Sequence, residues 1–224
     1  MSERVEGLNM GCQLMGVVTA DVVRSRFIKP QYYEAMLYTL EMTLSRLTEI
    51  VPMQYDIFRG DSFQCVCKRP ADAVKVAVII SLALKTLKSP IKVRQSIGVG
   101  EVTLLRGKVK SSIGEAFILS GEGLESMKGR FLTVSSNNFE FQERVELLTE
   151  FLDITLEKIT RAQAEVLYEY MCLSGSDESR SHDHIAKLTG KTRSNVTKLL
   201  NASYYRLMDK YILYFEGSLI KAYE

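Results

Sequence analysis

The apolar residues fall into two kinds of pattern, and the change between them comes near Asn138. Before it, short apolar or alternating runs separate longer periodic ones. Residues 13–20 (QLMGVVTA) are apolar and β-branched and end at Asp21, which predicts a buried strand. Pro30 opens a helical stretch to about Ile50, with Met36, Leu37, Leu40, Leu44 and Leu47 on one side. Residues 54–58 and 63–67 read as a hairpin around Gly60-Asp61, and 71–87 as a helix apolar on most of its surface. Strand-like alternation over 93–99 continues into, or pairs with, 101–105. A helix over 115–127 and a strand over 131–135 follow. The two glycines of 97–101 (IGVGE) lack the spacing and setting of a phosphate loop and read as a tight strand-to-strand connection.

After Asn138 the pattern is helical throughout. Residues 139–152 connect, 160–173 form an amphipathic helix, and 174–181 (SGSDESRS) form a polar loop. Helices are expected over 182–188 and 192–205, around Gly190, and a helical or mixed cap over 206–223. The expected organisation is an α/β unit over 1–137, a connecting helix over 138–159 and a small all-α unit over 160–224. The expected fold class is α+β, a ferredoxin-like sheet with helices on one face.

Composition narrows this only a little. With 46% hydrophobic and 25% charged residues, the 224-residue chain is ordinary for a globular protein. Its longest apolar runs, such as 76–84 (VAVIISLAL), are far short of the roughly 20 residues that span a bilayer. The first residues lack the layout of a signal peptide, so the expected location is cytoplasmic. Cys12, Cys65, Cys67 and Cys172 form no CxxC pair, and Cys65 and Cys67 point to one face of a strand as small buried hydrophobes. A net charge of +2 excludes coating of nucleic acid by bulk charge, so any such contact needs a local basic patch.

Two places carry candidate chemistry. Asp21 ends the first strand and Asp61 sits at the hairpin tip; at neighbouring strand ends they can share Mg²⁺ or Mn²⁺ and so hold a polyphosphate. Arg24, Ser25 and Arg26 follow as donors to phosphate oxygens. On the residues alone the plainer reading is that Asp21 caps a turn and Asp61 serves the Gly-Asp turn.

The second place is 184–200 (HIAKLTGKTRSNVTKLL), laid out as a helix-turn-helix. Ala186 is small where the helices cross, Gly190 can end the first in a left-handed conformation, and Val196 anchors the second. Ile185, Leu199 and Leu200 complete the buried side, covered by Val166, Leu167 and Tyr170. Between positions 187 and 198 there are four cations and no acid. Thr192, Arg193, Ser194, Asn195, Thr197 and Lys198 lie at the leading end, where Arg reads guanine and Asn reads adenine; Lys187 and Lys191 suit phosphates. A helical hairpin with a solvated basic face is the plainer alternative. His182 and His184, two apart, point to different sides of a helix, and Ser181 or Asp183 as its N-cap accounts for them better than a metal does. Tyr204, Tyr205, Tyr211 and Tyr214 suit helical packing or a dimer surface more than stacking on bases.

Four blocks, VVTADVVRSR (17–26), FRGDSF (58–63), RQSIGVGEV (94–102) and GEAFILSGEGLE (114–125), resemble in order those of the class III nucleotidyl cyclase domain. More closely, they resemble the cyclase-like SatD family, whose members often carry a C-terminal helix-turn-helix. The resemblance implies that Asp21 and Asp61 match the metal-binding aspartates and that the chain forms a homodimer. It also exposes departures. Ile118 and Glu122 stand where a cyclase orients ribose with Asn and stabilises phosphate with Arg, and Ile57 stands at the purine-selecting position. A carboxylate near a triphosphate repels it. The expectation is therefore a DNA-binding, transcription-type regulator with a catalytically degenerate cyclase-like unit for dimerisation or nucleotide sensing. Its partners are double-stranded DNA and a second copy, and no membrane. A divergent metal-dependent cyclase or other NTP-processing enzyme is the alternative.

Overall fold

The computed structural model describes residues 13–58, 60–173 and 178–223. In chain order the elements are β1 (Gln13–Val22), α1 (Pro30–Ile50), β2 (Met53–Phe58), β3 (Ser62–Cys67), α2 (Asp72–Lys85), β4 (Val93–Leu104), β5 (Ile113–Gly114), α3 (Glu115–Ser126) and β6 (Leu132–Ser136). Five helices follow: α4 (Phe139–Lys158), α5 (Arg161–Cys172), α6 (Glu178–Thr189), α7 (Arg193–Ala202) and α8 (Tyr205–Tyr223).

The sheet runs β2-β3-β1-β4-β5, with β6 also pairing β4. Every pairing is antiparallel except that of β4 with β6. Strand alternation sorts the sheet's side chains onto two unlike faces. Val18, Ala20, Val22, Cys65, Cys67, Ile97 and Val99 join the large core built with α1 and α2. Met15, Val17, Val66 and Val102 turn the other way, to Ala116 of α3. Helices thus cover both faces, and the expectation of helices on one face is corrected. The reason lies in β4. Gly98 and Gly100 are interior residues of one continuous strand, so the connection expected over 97–101 is also corrected. A Cβ on Gly98 would collide with the Ala116 carbonyl and come within 2.6 Å of the Ser120 nitrogen. The glycine is what lets α3 lie flat on the sheet.

α2 is buried almost all round, from Ala73 to Leu84, because the sheet and α1 flank it and α5 packs against it as well. Each fully buried Val, Leu or Ile there contributes roughly 1.5–3 kcal/mol. The same cluster of buried side chains continues without a break through Phe141, Val145, Leu167, Ile185, Val196 and Phe215. The helices after Asn138 therefore share a core with the sheet. Asn138 itself caps α4, accepting from the Phe141 amide, and Thr160 with Gln163 forms a capping box on α5.

The loop expected over 174–181 does not extend to 181. Residues 174–177 lie outside the described residues, and α6 already starts at Glu178. Ser181 and Asp183 are consequently inside a helix, not at its N-cap, a further correction. Cys12 lies outside the described residues; Cys65, Cys67 and Cys172 are buried free thiols. Burial pushes the Cys172 thiol up to about 11 and those of Cys65 and Cys67 higher still, so all three stay protonated at neutral pH. Among the described residues no helix is long and apolar enough to cross a membrane.

Candidate functional site

The two carboxylates meet at one end of the sheet, as their positions along the chain suggest. Asp21 lies opposite Ser62 on β3, the residue next to Asp61, and opposite Arg94 on β4. Both are already engaged. The Arg94 guanidinium donates to Asp21 through two nitrogens, with Nε to Oδ1 at 2.9 Å. Such a fork-to-fork pair is the strong form of carboxylate contact. The hydrogen bond to Asp21 raises the Arg94 pKa further above its ordinary range, against a smaller opposing effect of burial. Asp61 accepts from Ser25 Oγ at 2.7 Å and, through its backbone carbonyl, from the Val22 amide at 2.8 Å. Ser25 thus acts as a donor, but toward Asp61. Arg24, at φ 55°, turns the chain into a short 3-10 turn over Ser25–Phe27 and is exposed, as is Arg26.

Next to this end the α3 face of the sheet carries a small polar group before its apolar cluster begins. Thr19 bonds Ser120 Oγ at 2.7 Å and accepts from Gln64 Nε2 at 2.8 Å. Ile118 is 60% exposed, and Glu122 is exposed too. Ile57 faces the opposite way, packed against the large core. Among the described residues no cluster of three or more His, Cys, Asp or Glu side chains is arranged to hold a metal.

The second region is built by a short turn. Gly190 has φ +64°, which places the Lys191 amide on the Ala186 carbonyl at 3.1 Å and closes α6. Thr192 then caps α7, its hydroxyl accepting from the Asn195 amide. Ile185, Val196 and Leu200 are fully buried, and Val166 and Leu167 of α5 lie under them. Thr192, Arg193, Ser194, Asn195 and Lys198 are left facing solvent, together with Lys187 on α6.

Two of the expected contacts sit differently. Lys191 is a salt-bridge partner of Glu165 on α5 at 2.7 Å, with 17% of its side chain exposed. Thr197 turns inward, donating to the Arg193 carbonyl and meeting His182 Nδ1 at 2.9 Å. Arg193 lies 3.6 Å from Asp183, both about half exposed. His182 is buried and His184 exposed, so the pair does point apart. The partners Arg94, Glu165 and Asp183 were not anticipated. Arg94 was within reach, because strand pairing puts the polar residue at the start of RQSIGVGEV beside the end of the first strand.

Comparison with known proteins gives little beyond this. No protein-family model and no curated protein matches the chain. Among the solved structures that show a likeness are the following three. The guanylyl cyclase Cya2 has 15% identity and a TM-score of 0.39, over 56% of this chain and 76% of that one. The catalytic core of a rhodopsin-guanylyl cyclase with converted specificity, in complex with ATPalphaS, has 20% identity and a TM-score of 0.41, over 55% and 78%. A bacterial light-regulated adenylyl cyclase has 13% identity and a TM-score of 0.41, over 56% and 77%. The likeness, a weak one, is to nucleotidyl cyclases. At this level it transfers no residue role.

Proposed function

We propose that the protein is a DNA-binding regulator in which α7 enters the major groove. Arg193 and Asn195 address base edges there, and Thr192, Ser194, Lys187 and Lys198 hold the backbone. The observation that carries this reading is the solvent-facing first turn of α7, with Val196 and Leu200 turned inward to fix its pose. Lys191 and Thr197, engaged by Glu165 and His182, act as braces of that turn in this account. The sheet unit serves as a dimerisation and sensing body. The exposed Arg24 and Arg26, beside Ser25, give a nucleotide phosphate its landing place.

The test is selection of bound sequences from a random duplex pool. A shared sequence should emerge with the unaltered protein. Arg193→Ala and Asn195→Ala should each blunt one position of it, by about 1–3 kcal/mol of discrimination. Failure to enrich any sequence, at low salt as well, would count against the reading.

A second reading, a metal-dependent enzyme on nucleoside triphosphates, is favoured by one observation: Asp21 and Asp61 share a sheet end. It requires Mg²⁺ or Mn²⁺ to displace Arg94 from Asp21. Turnover of any of the four common triphosphates, abolished by Asp61→Ala, would establish it.

A further inference from the structure

α4 and α8 lie side by side and antiparallel. Asn138 reaches the Ala222 carbonyl at 2.9 Å, Phe141 stacks edge-on against Phe215 at 5.1 Å, and Thr149 bonds Tyr211. Their inner sides join the core. Their outer sides do not match a solvated surface. On α4, Leu147, Leu148, Phe151 and Ile154 fall on one side, with Leu147 60% and Phe151 59% exposed. Leu207 and Tyr214 on α8 do the same, with Tyr204 in the turn just before it, and Tyr204 and Leu207 are each 63% exposed. Between the two rows runs an open, apolar groove of about 450 Å³ that also reaches the buried Leu152, Met208 and Tyr211. At roughly 200 Å² for a whole residue of these kinds, the exposed fractions come to about 750 Å², close to the ~800 Å² per partner of a standard interface. A contiguous apolar patch of this size marks a surface that is covered in use.

The charges at its edges say by what. Along α4 stand the acids Glu143, Glu146 and Glu150, of which Glu150 pairs with Arg130, while the one cation among them, Arg144, is taken by Glu140; along α8 stand Arg206 and Lys210. A patch that is acidic along one helix and basic along its antiparallel neighbour is complementary to itself under a two-fold rotation, which sets each α4 against the other copy's α8. An anionic lipid surface, by contrast, would be repelled by the acidic row. We propose that the α4–α8 face pairs with the same face of a second copy of this chain. This keeps the dimeric state of the function proposed above, seats the contact on the helices after Asn138 instead of on the sheet unit, and does not depend on the DNA-binding part.

The test is molar mass by light scattering and sedimentation, without DNA, on the full chain. The unaltered protein should run at twice 25.4 kDa in the micromolar range. Leu207→Glu and Phe151→Glu, at exposed positions, should give folded monomers with an unchanged far-UV spectrum. Glu146→Lys or Lys210→Glu alone should raise the dimer dissociation constant by about tenfold, and the two together should restore it, because only a partner carrying the same swap regains the pairing. A monomeric unaltered protein would overturn the proposal. So would a dimer indifferent to Leu207→Glu, or a double charge swap no better than the singles. A dimer that selects no DNA sequence leaves this interface standing and removes the regulator reading. A monomer that selects one does the reverse.

Discussion

The sheet end that holds Asp21 and Asp61 and the exposed end of α7 carry similar numbers of charged and polar groups, yet they are wired in opposite ways. At the sheet end the groups satisfy each other: Arg94 takes Asp21, and Ser25 takes Asp61. At the α7 end the capping is done by a backbone-directed hydroxyl, Thr192; Arg193 lies beside Asp183, and Ser194, Asn195 and Lys198 face solvent. A site that must receive a ligand needs donors and acceptors that are not already spent. By that measure α7 is the more available of the two, although its sequence neighbourhood looks less like chemistry than two aspartates do.

The contrast can be broken at several points. The largest effect is expected at Gly98, which holds α3 against the sheet face carrying Asp21. Gly98→Val should lower stability by about 3 kcal/mol or more, since overpacking against backbone has nowhere to relax. Gly190, with open space around it, should tolerate Ala at a cost near 1 kcal/mol, from its left-handed backbone alone. Denaturant unfolding of both variants checks the ratio; equal losses would mean that the two regions are packed alike.

Next comes Arg94→Gln. It removes the fork on Asp21 and should tighten Mn²⁺ binding at the sheet end several-fold, the size of a half-exposed ion pair of about 1 kcal/mol. Calorimetric titration with Mn²⁺ would show it. If the unaltered protein already binds the ion as well as the variant does, Arg94 is no competitor and the sheet end is as available as α7.

The smallest effect is expected at Lys191→Ala. Because Glu165 holds the ammonium, the salt dependence of DNA binding should keep its slope, whereas loss of a true phosphate contact lowers it by about one. A lowered slope would return Lys191 to the DNA-facing set.

Much of the fold was legible because periodicity was strong. The strand ending at Asp21, the helix opened by Pro30 and the hairpin tip at Gly60 lie within a residue or two of their expected places. What stayed hidden depends on contacts between distant segments. Gly98 looked like a turn residue because its sequence neighbours cannot show that Ala116 will lie on it. The start of α6 was misplaced because a polar, loop-like run continues into a helix whose inward side includes His182, Ile185 and Ser181. Of the candidate sites, the pattern of small, glycine and apolar residues over 186–196 gave the turn and its buried side. The ion pairs that decide which cations remain available, Lys191 with Glu165 and Asp21 with Arg94, join elements 26 and 73 residues apart and left no local mark.

The most direct measurement is an amide chemical-shift titration of the isotope-labelled protein with its selected duplex. The account predicts that perturbations centre on Lys187 and on residues 192–198, while Asp21, Arg24 and Asp61 keep their shifts. Perturbations centred on the sheet end, or none at α7 at saturating duplex, would contradict it.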